Sequence, residues 1–141
     1  MSFVGLVRDF SADQKIEKLT LEHYPGMSEN ALSNILDQAH ARWNLIASRV
    51  IHRVGELLPH EQIVFVATAS AHRSEAFAAT EFIIDYLKTS APFWKKEHTP
   101  QGVTWLETKP ADVKRAAHWE IRSTGKLRHE ENPHDTDPFR G

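Results

Sequence analysis

Five basic residues and several aromatic ones fall within two short stretches of this chain. Ser70–Phe77 reads SAHRSEAF and Asp85–Glu97 reads DYLKTSAPFWKKE, with one helical pattern between them. Together they hold His72, Arg73, Lys88, Lys95 and Lys96 beside Tyr86, Phe93 and Trp94. The whole 141-residue chain carries a formal net charge of −2, so the positive charge is concentrated locally. Such an excess of cations with aromatic walls suits a small anionic ligand that contains a ring.

The apolar run Gln62–Ser70, QIVFVATAS, ends in a small-residue turn, and a helical pattern begins at once. Free N–H groups at that helix start, with Arg73 and a protonated His72 beside them, favour a phosphate or carboxylate. The plainer alternative is an exposed helix start with solvated side chains, since most such turns bind nothing. Lys88 lies in the last turn of the same helix, where the dipole favours any lysine. Lys95 and Lys96 follow Pro92 and point to opposite faces of an extended stretch, so one of them can face the pocket of Lys88. Two neighbouring ammonium groups, walled by Phe93 or Trp94, depress each other's pKa. A lysine shifted in this way serves as a general acid/base or nucleophile near neutral pH. Arg8 and Arg42, taken alone, read as surface residues.

Other chemistries are excluded. The chain has no cysteine, which removes disulfides, thiolate nucleophiles, persulfide carriers and cysteine-based metal sites. Any sulfur handled here must come from something else. His23, His52, His60 and His118 show no ligand spacing, so no metal site is expected. G-x-S-x-G, P-loop and G-x-G-x-x-G motifs are absent. A pI near 6.5 argues against a general nucleic-acid binder. No apolar run approaches the roughly 20 residues that cross a bilayer. The N-terminus lacks the pattern of a signal peptide, so a cytoplasmic location is expected.

The elements that must position these residues follow from periodicity. Phe3–Val7 reads as a strand with Gly5 at a point of close backbone approach. Asp9–Lys18 reads as a polar loop, and Leu19–Tyr24 alternates as a strand. Ser28 is the expected cap of an amphipathic helix that runs to about Trp43. Arg49–Leu58 reads as one strand, and Gln62–Ser70 as a strand covered on both faces. A helix spans about Arg73 to Thr89. Phe93–Glu97 and Val103–Glu107 form a hairpin around TPQG, and Pro110 opens a last helix that ends near Trp119. From Glu120 to Gly141 the composition predicts a flexible polar tail behind a single domain over 1–119. Interspersed helices and strands imply an α+β fold with a mixed sheet.

Four segments point to a family: LTLEHYPGM (Leu19–Met27), VIHRVGEL (Val50–Leu57), IVFVATASAHRSEAF (Ile63–Phe77) and FIIDYLKTSAPFWKKE (Phe82–Glu97). In order and spacing they closely resemble the large, catalytic subunit of molybdopterin synthase, over about Phe3 to Trp119. The resemblance implies a hammerhead-like α+β fold and a sulfurtransferase of molybdenum cofactor biosynthesis with no cofactor of its own. Such an enzyme converts cyclic pyranopterin monophosphate to molybdopterin. The two sulfurs arrive as a thiocarboxylate on the C-terminal Gly-Gly tail of a small ubiquitin-like partner. A homodimer of the large subunit, within a heterotetramer, is the implied assembly.

Residue by residue, Lys88 and Lys95 match the family's catalytic lysines, and His72 and Arg73 its substrate-binding pair. Arg8, Phe3 and Glu97 match positions beside the pocket, and Arg42 an arginine contributed by the neighbouring subunit. Lys109 stands where relatives often carry an arginine, which keeps the charge and loses the bidentate fork. Relatives commonly begin further upstream, so the N-terminal element is expected to be shortened. The alternative is a non-catalytic module of the same fold that docks a ubiquitin-like tail or an anionic metabolite.

Overall fold

The computed structural model describes residues 1–129, with side chains described as far as Glu120. β1 (Ser2–Leu6) is followed by a small hairpin, β2 (Phe10–Ser11) and β3 (Gln14–Lys15). Ala12 and Asp13 turn it with φ of 48° and 63°, the left-handed pair that a tight two-residue turn demands. The expected polar loop is therefore a hairpin, and Ile16, 2% exposed, roots it in the interior. β4 (Lys18–His23) leads through Pro25-Gly26 into α1 (Met27–Arg42). Gly26, at φ 85°, caps α1 in place of Ser28, and its N–H donates to Glu29 Oε2 at 2.5 Å. A glycine free to adopt left-handed backbone lets the helix start earlier. Ser28 is instead buried in the first turn, its hydroxyl donating to the Tyr24 carbonyl at 2.9 Å.

The single strand expected over Arg49–Leu58 is two: β5 (Leu45–His52) and β6 (Gly55–Leu57). Gly55, at φ 87°, breaks the run, and the halves enter different sheets. β7 (Gln62–Ser70), α2 (Arg73–Thr89), β8 (Phe93–Thr99) and β9 (Gly102–Leu106) follow close to their predicted bounds. α3 (Pro110–His129) runs ten residues past Trp119, so the expected tail begins as helix. No proline and only Gly125 interrupt its charged helix formers there. The remainder of that tail lies outside the described residues.

β1, β7 and β5 form one antiparallel sheet in that order, and β6, β4, β8 and β9 form another. Ile35, Ala39, Val66, Phe82, Ile83 and Trp119 gather in a core where α1, α2 and α3 meet the first sheet. A second cluster, Val7, Leu19, Leu21 and Leu57, joins the second sheet to the chain just after β1. β7 is not covered equally on both faces: Val66 and Thr68 are buried under the helices, whereas Phe65 and Ala67 are half-buried. The architecture is α+β, as the order of elements predicts. Among the described residues, no helix is long and apolar enough to cross a membrane.

Candidate active site

β8 decides which lysine turns inward. It pairs with β4 and β9, so that Lys95 stands opposite Leu21 and Leu106 and Glu97 opposite Leu19 and Thr104. Alternation turns Phe93, Lys95 and Glu97 to the interior and Trp94 and Lys96 outward. Lys96 is held outside by Glu22 at 3.0 Å and by the Trp105 ring, 4.5 Å from its ammonium. Lys95 is thus the one that faces Lys88. Trp94 is no wall of that site, since it packs edge-on against Tyr24 on the outer face.

A cavity of about 350 Å³ lies where β1 and β7 meet the C-terminal half of α2 and the second sheet. Phe3, Gly5, Val64, Ile84 and Leu87 are among its apolar walls, and Arg8, His52, Lys88, Lys95 and Glu97 are its polar groups. Gly5 has the close approach expected of it: a Cβ there would meet Val64 Cγ1 at 2.8 Å. A smaller hollow of about 140 Å³ shares Arg8, Lys88, Lys95 and Glu97 and adds Lys109 and Asp112. Seven of the residues singled out from sequence, counting only Arg8, Phe3, Lys88, Lys95, Glu97, Lys109 and Phe93, therefore converge.

The site holds more positive than negative charge, and Lys95 registers it. Burial lowers its pKa most, the Lys88 ammonium lowers it further, and the Asp112 carboxylate opposes both. Arg8 and Lys109 add smaller effects toward the neutral amine. Glu97 is 7% exposed on the same strand. Lys88, 46% exposed at its side chain, lies 3.8 Å from Asp112 Oδ1. The arrangement presents one cation that gives up its proton readily beside a second in contact with solvent. That pairing suits proton transfer and the stabilisation of developing negative charge.

His52 and Asp112 are among the lining residues that the sequence did not single out. His52 reaches the cavity because β5 ends there, at the break before Gly55. Its ring stacks on Phe93 at 4.0 Å and 9°, and Nδ1–H donates to the Arg53 carbonyl at 2.8 Å. Burial lowers its pKa and favours the neutral ring. Asp112 arrives on the first turn of α3, and neither its spacing nor its neighbours in sequence relate it to Lys88.

His72 and Arg73 do not join this group. They stand at the start of α2, and Lys88 lies in its last turn, about 22 Å away at 1.5 Å per residue. Both are exposed, and the His72 carbonyl accepts a hydrogen bond from the Ser70 hydroxyl. Arg42 lines neither cavity. Its guanidinium donates to the Trp119 carbonyl at 3.0 Å and lies 4.6 Å from the Phe82 ring centroid, within its own chain.

Residues 1–90 match the MoaE protein family. The chain belongs to that family. A molybdopterin synthase catalytic subunit of Ralstonia nicotianae is 57% identical over 120 residues, 85% of this chain and 68% of the relative. The Escherichia coli K12 protein of the same name is 53% identical over 119 residues, 84% of this chain and 79% of the relative. Among solved structures, the molybdopterin biosynthesis MoaE protein from Burkholderia ambifaria superposes with a TM-score of 0.71 at 50% identity, covering 85% of this chain and 78% of that one. The MoaE fold and the enzyme class expected from the sequence segments are therefore those of this chain. Its cavity is lined by both Lys88 and Lys95.

Proposed function

We propose that this chain transfers two sulfurs from the C-terminal thiocarboxylate of a small ubiquitin-like partner to cyclic pyranopterin monophosphate, yielding molybdopterin in the cytoplasm. The observation that carries the reading is the convergence of Lys88 and Lys95 on one cavity, with the Lys95 pKa lowered by burial and by Lys88. The mostly apolar walls suit a slender Gly-Gly tail, and the cationic end beside Arg8 and Lys109 suits an anionic pterin. The absence of cysteine fits a reaction in which the partner brings the sulfur. Lys88 meets the thiocarboxylate, and Lys95 moves protons at the substrate.

His72 and Arg73 serve this site from a second copy. One chain cannot bring them to its own Lys88 across the length of α2, whereas a symmetric homodimer is an arrangement in which one subunit can complete the site of the other. The test is complementation with the thiocarboxylated small subunit and the pterin precursor. Lys88→Ala and Arg73→Ala each lose most molybdopterin formation alone. Mixed and allowed to exchange subunits, they recover about a quarter of the wild-type rate, since half the dimers are mixed and each has one intact site. A mixture as inactive as its components would refute the shared site, and full activity of Lys88→Ala would refute the catalytic assignment.

A further inference from the structure

Helices α2 and α3 run antiparallel and are clamped at two points. Trp119 Nε1 donates to Asp85 Oδ2 at 2.8 Å in the buried interior. One turn along α2 and two turns back along α3, Lys88 Nζ meets Asp112 Oδ1 at 3.8 Å. Spacings of three and seven residues keep each pair of positions on one helix face, so the buried clamp holds Asp112 at the lysines. Asp112 is well covered, with 15% of its side chain exposed against 46% for Lys88. It lines the smaller hollow together with both Lys88 and Lys95.

We infer that Asp112 is the counter-ion of the Lys88–Lys95 pair, a positioning residue that the α2–α3 clamp holds beside the two ammonium groups. The inference rests on the reading of those lysines as the reacting groups. The charges around Lys95 come from every side: Arg8 after β1, Lys88 on α2 and Lys109 before α3 are positive. His52, on β5, is favoured in its neutral form by burial. Glu97 on β8 and Glu107 after β9 are the other carboxylates of the site. Of the named charges acting on Lys95, Lys88, Arg8 and Lys109 favour the neutral amine, and Asp112 alone favours the ammonium. Without it, every named charge acting on Lys95 would favour the neutral amine.

The experiment compares the full chain with Asp112→Asn and Asp112→Glu. Pulsed acetic anhydride labelling from pH 6 to 11, read by mass spectrometry of the Lys95 peptide, gives the protonation midpoint without any activity. Asn should lower that midpoint and raise the labelling rate at fixed pH below it about threefold, and Glu should restore most of the difference. A midpoint unmoved by Asn, or moved equally by Asn and Glu, would overturn the inference. Loss of a first-turn acidic residue also weakens α3 through its dipole, but that effect lowers the melting temperature and leaves Lys95 where it was. With the thiocarboxylated partner and precursor supplied, the pH profile of turnover should move with the labelling midpoint. A labelling shift with an unmoved profile supports Asp112 as counter-ion and instead removes Lys95 from the reaction.

Discussion

Trp119→Phe isolates the bond that docks α3 beside the site. Trp119 is 2% exposed, Asp85 is 5% exposed, and the indole N–H donates to the carboxylate at 2.8 Å. The ring itself packs edge-on against Trp43 and Phe82, at 5.4 Å and 5.6 Å between centroids. Phenylalanine keeps much of that apolar contact and loses the donor. A buried hydrogen bond to a charged group contributes about 1.5–3 kcal/mol, and leaving the carboxylate without its indole partner puts the cost toward the upper end. For a chain of this length that corresponds to a melting temperature lower by roughly 3–12 °C. The assay is thermal unfolding by far-ultraviolet circular dichroism on wild type, Trp119→Phe, Asp85→Ala and the double variant. Because both single changes remove the same bond, the double variant should fall short of their sum by about 1.5–3 kcal/mol. Additivity within about 0.5 kcal/mol would refute the reasoning, because it would mean the two side chains do not act as a pair. Below its melting temperature, Trp119→Phe should still lose part of its turnover, since α3 carries Asp112 and follows Lys109.

Two further changes probe the cavity. Lys95→Met should abolish molybdopterin formation yet raise stability at neutral pH, because it removes a half-buried charge among other cations. The sign follows from the lowered folded pKa: the unfolded chain keeps this proton up to the ordinary lysine value of 10.5, so wild-type stability climbs with pH and the gap closes as that value is approached. Urea unfolding between pH 6 and 10 reads both, and a variant less stable than wild type at pH 7 would contradict the burial argument. Gly5→Ala should cost about 1–3 kcal/mol, since its Cβ would lie 2.8 Å from the stiff Val64 side chain, and Val64→Ala in the same chain should recover most of it. Equal losses in the single and double variants, measured by the same unfolding, would place the strain elsewhere.

The local pattern carried much of the fold. Pro92 and Pro110 punctuate the chain where α2 has ended and α3 begins, and the small-residue run at Ser70–Ala71 marks where β7 gives way to α2. The alternation of β8 was enough to say that only one of Lys95 and Lys96 faces inward. Gly26 and Gly55 were the weak points, because a left-handed glycine shifts a helix start or splits a strand without altering the hydrophobic period. The Ala12-Asp13 turn was hidden for the same reason, in residues less marked for it than glycine.

Which lysine turns inward is a property of strand periodicity, and the sequence by itself determined that only one of the pair could. It also determined the family, through segments whose order and spacing are specific. What surrounds that lysine depends on tertiary structure. Arg8 follows β1 far upstream of Lys95 and Asp112 lies on a helix after it, so no short window of sequence contains the charges that act on Lys95. Distance decided in the other direction for His72 and Arg73: they share one helix with Lys88 and are separated by its length. A rigid rod of backbone hydrogen bonds keeps neighbours in sequence apart, and sheet packing brings distant residues together.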